Sequence, residues 1–284
     1  MNKPLVIYHG NCIDGFTAAW VMRRWFGHWP PFVGGAPADV GMDAEFFAAH
    51  YAPDGQRVQL PDVIGRSVWM VDFCTSREQL LELKAAAAEL VVLDHHKTAQ
   101  SACEGLDFCT FDMARSGAML AWDYCYPKQS APWLVWYVQD RDLWEWELER
   151  SREVNAFIQS QPMSFERWDE IVELSFTDAA RRGQGALDYI DRYVREMKLQ
   201  ARRASFAGYD DVPIINAPYI GISELVGALA EDVPFAVGWF QNAHGAYVYS
   251  LRSRGDFDVS VLAKRFGGGG HKNAAGFTLK ERLP

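Results

Sequence analysis

The chain has 284 residues, room for one large domain or two ordinary ones. With 49% hydrophobic and 23% charged residues and no low-complexity tract, it reads as a globular protein with an aromatic-rich core, which excludes the disordered and fibrous classes. A net charge of −9 argues against gripping long nucleic acid through a basic face, yet leaves nucleic acid open as a substrate wherever metal ions supply positive charge locally.

No apolar run approaches the roughly 20 residues needed to span a bilayer. Met1-Asn2-Lys3-Pro4 leads directly into Leu5-Val6-Ile7-Tyr8, too short an apolar stretch for a signal peptide. A cytoplasmic protein without membrane contact is therefore expected. The five cysteines, Cys12, Cys74, Cys103, Cys109 and Cys125, form no Cys-x-x-Cys pair. Their odd number and irregular spacing argue against a disulfide framework or zinc ribbon and for reduced thiols.

In chain order, 5–9 reads as a buried strand and 14–26 as a helix with Ala18, Val21, Met22 and Trp25 on one side. A second strand is expected over 68–73. A helix over 76–88 follows, with Ser76 as N-cap and Gln79 three residues on, as in a capping box. A third strand, 90–93, runs into Asp94, and 115–126 and 132–144 read as helices. This alternation predicts an α/β domain over 1–150, a parallel sheet with helices on both faces. From 151 to 205 the pattern is helical and more charged and reads as a connector, with a long helix over 187–203. Over 206–284, strands at 212–215, 235–240, 247–252 and 277–279 and a short helix at 259–266 predict a smaller α+β domain. Residues 241–245 form its hairpin turn.

Three polar clusters sit where the strands of the first domain end: Gly10 to Gly15, Asp72 to Thr75, and Asp94-His95-His96. Ligands of open α/β sheets bind beyond the carboxyl ends of the strands, so neighbouring strands would bring the clusters together. Adjacent histidines on extended backbone point opposite ways, so one can ligate a metal while the other faces a substrate. Asp140 and Asp142 lie in an apolar, aromatic stretch, where a carboxylate must be ion-paired, with Arg141 or another arginine, or bound to metal. Carboxylate and imidazole donors suit Mn2+ or Mg2+, and there are enough of them for two ions. In the last domain, Gly267–Gly270 followed by His271 and Lys272 reads as a loop whose N–H groups cradle an anion. Arg252 and Arg254 can add charge-assisted bonds to phosphate.

Tyr8-His9-Gly10-Asn11-Cys12-Ile13-Asp14-Gly15, Val71-Asp72, Asp94-His95-His96 and Gln139-Asp140 together resemble the four sequential motifs of the DHH phosphoesterases. The glycine run with His271-Lys272-Asn273-Ala274-Ala275-Gly276-Phe277, preceded by Arg252-Ser253, resembles the DHH-associated C-terminal domain. The resemblance implies RecJ-like exonucleases, nanoRNases, cyclic dinucleotide phosphodiesterases or 3′-phosphoadenosine 5′-phosphate phosphatases, usually dependent on two Mn2+ ions, with Mg2+ as the alternative. By position it implies one metal on His9, Asp72 and a further first-motif residue, and another on Asp14, Asp72, His95 and Asp140, with Asp72 bridging. It places His96 at the scissile phosphate. His271, Gly268, Gly269, Gly270 and Arg252 would hold the far part of the substrate, with Arg115 and Ser116 counted among the binding residues. His96, Asp72 and His271 would form the catalytic set.

The family commonly has two aspartates in its first motif, and Cys12 stands at the earlier position here. A softer thiolate would weaken that site for Mn2+, favour another metal, or leave the place to water. Alternatively Cys12 faces the core and Asn11 helps instead. Without an added nucleic-acid-binding domain, and with an acidic charge, short single-stranded oligonucleotides rank first as substrate. Nucleotides or cyclic dinucleotides rank second and polyphosphate third; a non-catalytic nucleotide sensor is the reading from another class. The oligomeric state stays open between monomer and dimer.

Overall fold

The computed structural model describes residues 3–28, 43–51 and 57–283. They fall into two compact units. Of the described residues, the first takes in 3–28, 43–50, 58–95 and 99–187, and the second 51, 57, 96–98 and 188–283.

The first unit begins with β1 (Leu5–His9), α1 (Ile13–Arg23), β2 (Glu45–Ala49), β3 (Ser67–Val71), α2 (Arg77–Ala86) and β4 (Glu89–Asp94). It continues through the short α3 (Gln100–Cys103), β5 (Cys109–Phe111), α4 (Gly117–Cys125), α5 (Trp133–Asp142), α6 (Ser151–Gln159) and α7 (Phe165–Val172). The helix α8 (Phe176–Lys198) starts in this unit and ends in the second. Ser76 caps α2 by accepting from the Gln79 N–H at 3.3 Å, the first half of the expected capping box.

All four strand pairings are parallel, in the order β2-β1-β3-β4-β5. Val6, Trp69, Val71 and Leu93 join the aromatic core that α1, α4 and α5 share with Trp20, Trp122 and Trp168. The alternating Leu5, Ile7, Val68, Met70, Leu90 and Val92 point the other way and are equally buried. Both faces of the sheet are therefore covered, as continuous apolar strands demand. β1 sits between β2 and β3, so the chain leaves it first to one side and then to the other. The topological switch point thus lies between the carboxyl ends of β1 and β3, where such sheets bind ligands.

The second unit contains β6 (Arg202–Phe206), β7 (Tyr209–Asn216), α9 (Ile222–Leu229), β8 (Phe235–Gln241), β9 (Tyr247–Ser253), α10 (Val259–Lys264), β10 (Gly269–Gly270) and β11 (Ala274–Leu279). Its sheet runs β10-β11-β9-β8-β7-β6 and is antiparallel except between β7 and β8. Leu225 and Val226 of α9 pack with Ile215 and Ala236, while Leu262 and Ala263 of α10 pack with Leu251 and Phe277. The stretch 151–205, set apart by sequence as a connector, divides: α6, α7 and α8 through Leu187 group with the first unit, and residues from Asp188 onward with the second. Among the described residues, no helix is long and apolar enough to cross a membrane.

Candidate functional site

The switch point brings together residues from five elements of the first unit. His9 ends β1, Asp14 lies in the first turn of α1, Asp72 follows β3, His95 follows β4, and Asp142 ends α5. Asp72 takes left-handed backbone (φ 54°), and its N–H donates to the Leu93 carbonyl at 2.9 Å. Its two carboxylate oxygens serve different neighbours. Oδ1 lies 3.0 Å from His95 Nε2, and Oδ2 lies 3.5 Å from His9 Nδ1. His95 Nε2 also lies 3.6 Å from Asp14 Oδ2 and 3.5 Å from Asp142 Oδ2.

Asp14 is held from the other side by the free end of a helix. The first N–H groups of α4 have no partner within the helix and carry partial positive charge. Those of Gly117 and Ala118 donate to Asp14 Oδ2 and Oδ1 at 2.6 and 3.0 Å. Ser116 caps the same helix by accepting from the Met119 N–H, and its own N–H donates to Gln139 Oε1. Asp94, fully buried, accepts from the His95 N–H at 2.8 Å and fixes the backbone that carries the imidazole.

Two glycines make this crowding sterically feasible. A Cβ on Gly15 would stand 2.4 Å from the His9 carbonyl oxygen and 3.0 Å from Asp72 Oδ2. A Cβ on Gly117 would stand 2.4 Å from the Asp72 Cβ.

The electrostatics follow from burial. Asp14 and Asp72 are almost wholly enclosed, and Asp142 is close by. Burial, then the Asp72 and Asp142 charges, push the Asp14 carboxyl well above its usual range, against the pull of His95 and the Ala118 N–H. Burial alone would drive the His95 imidazolium down. The hydrogen bond to Asp72 and the charges of Asp142, Asp72 and Asp14 outweigh it and hold the group up at about 10. Without a metal, a proton on His95 thus supplies the positive charge that the carboxylates attract. Asp14, His95 and Asp142 each offer a ligand atom, all within 4.8 Å of one another, in a donor set suited to a hard divalent cation.

Several expected site residues stand elsewhere. Asp140, expected in the second metal's shell, is turned into the protein. Its Oδ1 accepts from the Glu147 and Leu148 N–H groups at 2.8 and 3.3 Å, and its Oδ2 accepts from the Ser151 hydroxyl. Asp142 takes the place beside His95. Residues 140 and 142 are about 200° apart around a helix, so only one can face the centre. Ser116 and Arg115, expected to bind substrate, are committed to the fold: Ser116 is fully buried as a cap, and Arg115 donates to Asp112 and Asp123 at 2.8 and 2.7 Å. Cys12 is the N-cap residue of α1, without a side-chain cap bond. Burial, then the charges of Asp72, Asp142 and Asp14, push its thiol well up, so without a metal it stands as a neutral thiol. Sequence reasoning left Asp142 open, did not read the steric role of Gly15, and missed Gly117. The signal for the glycines was their position, one directly after Asp14 and one directly after a capping serine.

In the second unit, the imidazoles of His96 and His271 stack with centroids 4.8 Å apart and planes 23° from parallel. The glycine run differs from the expected anion cradle. The N–H groups of Gly267 and Gly268 donate to the Lys264 and Ala263 carbonyls, and that of Gly270 donates to Thr98 Oγ1. Gly269 and Gly270 pair with β11 as a two-residue strand. A Cβ on Gly268 would stand 2.1 Å from the Gly276 carbonyl oxygen, so these glycines serve close chain packing. The Arg252 guanidinium donates to Ser223 Oγ, Ser250 Oγ and the Leu251 carbonyl.

Residues 216–284 match the DHHA1 domain. The chain is 28% identical over 295 aligned residues to the uncharacterized protein R106 of Acanthamoeba polyphaga mimivirus, covering 97% of this chain and 67% of that protein. It is 27% identical over 230 residues to the oligoribonuclease NrnB of Bacillus subtilis, covering 73% of this chain and 57% of NrnB. It spans about two thirds of the length of the first and little more than half of the second. Among solved structures, RecJ from Thermus thermophilus in complex with Mn2+ shares the fold with a TM-score of 0.51 at 14% identity, over 98% of this chain and 49% of RecJ.

Proposed function

As the chain belongs to the DHH family and carries a DHHA1 domain, we propose that it is a metal-dependent phosphoesterase that hydrolyses the phosphodiester bonds of short single-stranded oligonucleotides. The observation that carries this reading is the gathering of His9, Asp14, Asp72, His95 and Asp142 at the switch point of a parallel sheet. The similarity to NrnB, an oligoribonuclease, supports this substrate class, and Mn2+ is the ion in the RecJ complex that shares the fold.

The donor set fits two divalent cations. His9 and Asp72 would hold one; Asp14, Asp72, His95 and Asp142 would hold the other, with one Asp72 oxygen directed to each side. Bound there, such ions acidify a water and neutralise charge developing on phosphoryl oxygens. The chain's own residues do the positioning. Gly117 and Ala118 fix both Asp14 oxygens, Asp94 fixes the His95 backbone, and the Leu93 carbonyl anchors Asp72. His96 and His271 are assigned to phosphate contact, and Arg252 to substrate binding in the second unit.

A panel with Mn2+ tests the reading: short labelled RNA and DNA, a dinucleotide, a cyclic dinucleotide, 3′-phosphoadenosine 5′-phosphate and polyphosphate. Release of mononucleotides from the short strands is the expected result. Turnover confined to cyclic dinucleotide, 3′-phosphoadenosine 5′-phosphate or polyphosphate would replace the substrate class, and no turnover of any compound would favour a nucleotide sensor.

A further inference from the structure

We propose that Trp144 and Trp146 form a stacking platform for a nucleobase of the substrate, beside the carboxylate–histidine centre. The inference rests on the phosphodiesterase reading above. Asp142, with its carboxylate 3.5 Å from His95 Nε2, is two residues before Trp144. At 3.8 Å between successive Cα atoms, the Trp144 Cα lies no more than about 7.6 Å from that of Asp142.

Both tryptophans adopt left-handed backbone, φ 62° at Trp144 and φ 57° at Trp146. Bulky residues rarely adopt that conformation, and it persists only where the surroundings over-determine it. Here they do. The Asp140 carbonyl accepts from the Glu145 and Trp146 N–H groups at 2.9 and 3.3 Å, and its carboxylate holds Glu147, Leu148 and Ser151. Tyr137 Oη donates to the Glu149 carbonyl at 2.8 Å. A buried carboxylate and a buried tyrosine are thus committed to keeping this one loop in a costly shape.

Core packing does not explain the cost. Leu148 of the same loop packs on the core, whereas Trp144 is 38% exposed and Trp146 is half-buried, neither belonging to that core. Their rings meet edge to face, with centroids 5.1 Å apart at 78°. Two indoles on a tightly hydrogen-bonded loop, two and four residues beyond the Asp142 that lies beside His95, match the flat face that every nucleobase carries, with no demand on base identity.

The test compares a dinucleotide with its abasic analogue, each with Mn2+. For wild type, KM for the dinucleotide is expected about tenfold or more below that of the analogue. Trp144→Ala and Trp146→Ala are expected to raise KM for the dinucleotide by about tenfold, with kcat nearly unchanged. Both should leave the abasic compound unaffected, which also shows that the fold is intact. Trp144→Phe should keep most of the preference. Trp144→Gly relieves the backbone and should raise Tm while losing the preference, which a merely structural tryptophan would not do. An unchanged preference in both alanine variants, or none in wild type, overturns the platform. If wild type hydrolyses neither compound, the phosphodiesterase reading fails. Calorimetric binding of AMP against ribose 5-phosphate, in wild type and Trp144→Ala, then decides the platform: stronger AMP binding lost in the variant supports it, and equal binding of both compounds in wild type overturns it.

Discussion

Gly117→Ala is expected to lower kcat at least about 100-fold and to weaken Mn2+ binding, because one methyl group would strike the centre of the site. The added Cβ would stand 2.4 Å from the Asp72 Cβ, 2.7 Å from Oδ1 and 2.8 Å from Cγ, all inside contact distance. Asp72 has little room to yield, since its left-handed backbone is anchored to Leu93 and its carboxylate faces two histidines. If α4 moves instead, the Gly117 and Ala118 N–H groups leave Asp14. Gly117 opens α4 with ordinary helical backbone, where alanine is otherwise the better residue, so the loss would be steric. Overpacking should also cost about 1–3 kcal/mol of stability. Turnover, calorimetry and thermal unfolding measure the three effects, and wild-type values in all of them would contradict the geometry.

Two aspartates one turn-end apart are expected to fail in opposite ways. Asp142→Asn should weaken Mn2+ binding by at least about tenfold, since a charged donor beside His95 is lost. It should change the metal-free Tm little, because the Asp142 charge disfavours a charged Asp14 but favours a protonated His95, and the two effects oppose each other. Asp140→Ala should instead destabilise the fold by about 1.5–3 kcal/mol, as the Glu147 and Leu148 N–H groups and the Ser151 hydroxyl lose a charged acceptor. Its effect on metal binding should follow only from loss of fold. Unfolding curves with and without Mn2+ separate the two. The reverse pattern would return the ligand role to Asp140.

Much of this architecture was legible in the residues. Continuous apolar runs announced β1, β3 and β4, and the Ser76–Gln79 pair marked the start of α2 because its capping chemistry is local. β2, with Phe46, Phe47 and paired alanines, carries no clean alternation and is a strand through its pairing with β1. β5 has only three residues and β10 two, too few to show any period. At the site, the strand-end positions of His9, Asp72 and His95 were readable, since parallel strands deliver their carboxyl ends to one edge. The exchange of Asp140 for Asp142 was not. Their spacing shows that they face apart, but which one faces inward depends on Ser151 and the loop that Asp140 caps. The glycine run misled for a related reason: glycine permits close approach without saying what approaches, and here it is the chain's own β11 and Thr98.

On the proposed reading, Asp72 would be a ligand to each of two divalent cations at a phosphodiester-cleaving centre, one oxygen facing His95 and the other His9. The most direct test of that reading is a calorimetric Mn2+ titration of wild type and Asp72→Asn, paired with turnover of a short oligonucleotide by the same samples. The expected result is two ions bound by wild type, with at least one lost and hydrolysis abolished in the variant. Undiminished turnover by Asp72→Asn, or a wild-type protein that cleaves the oligonucleotide without binding Mn2+, would contradict it.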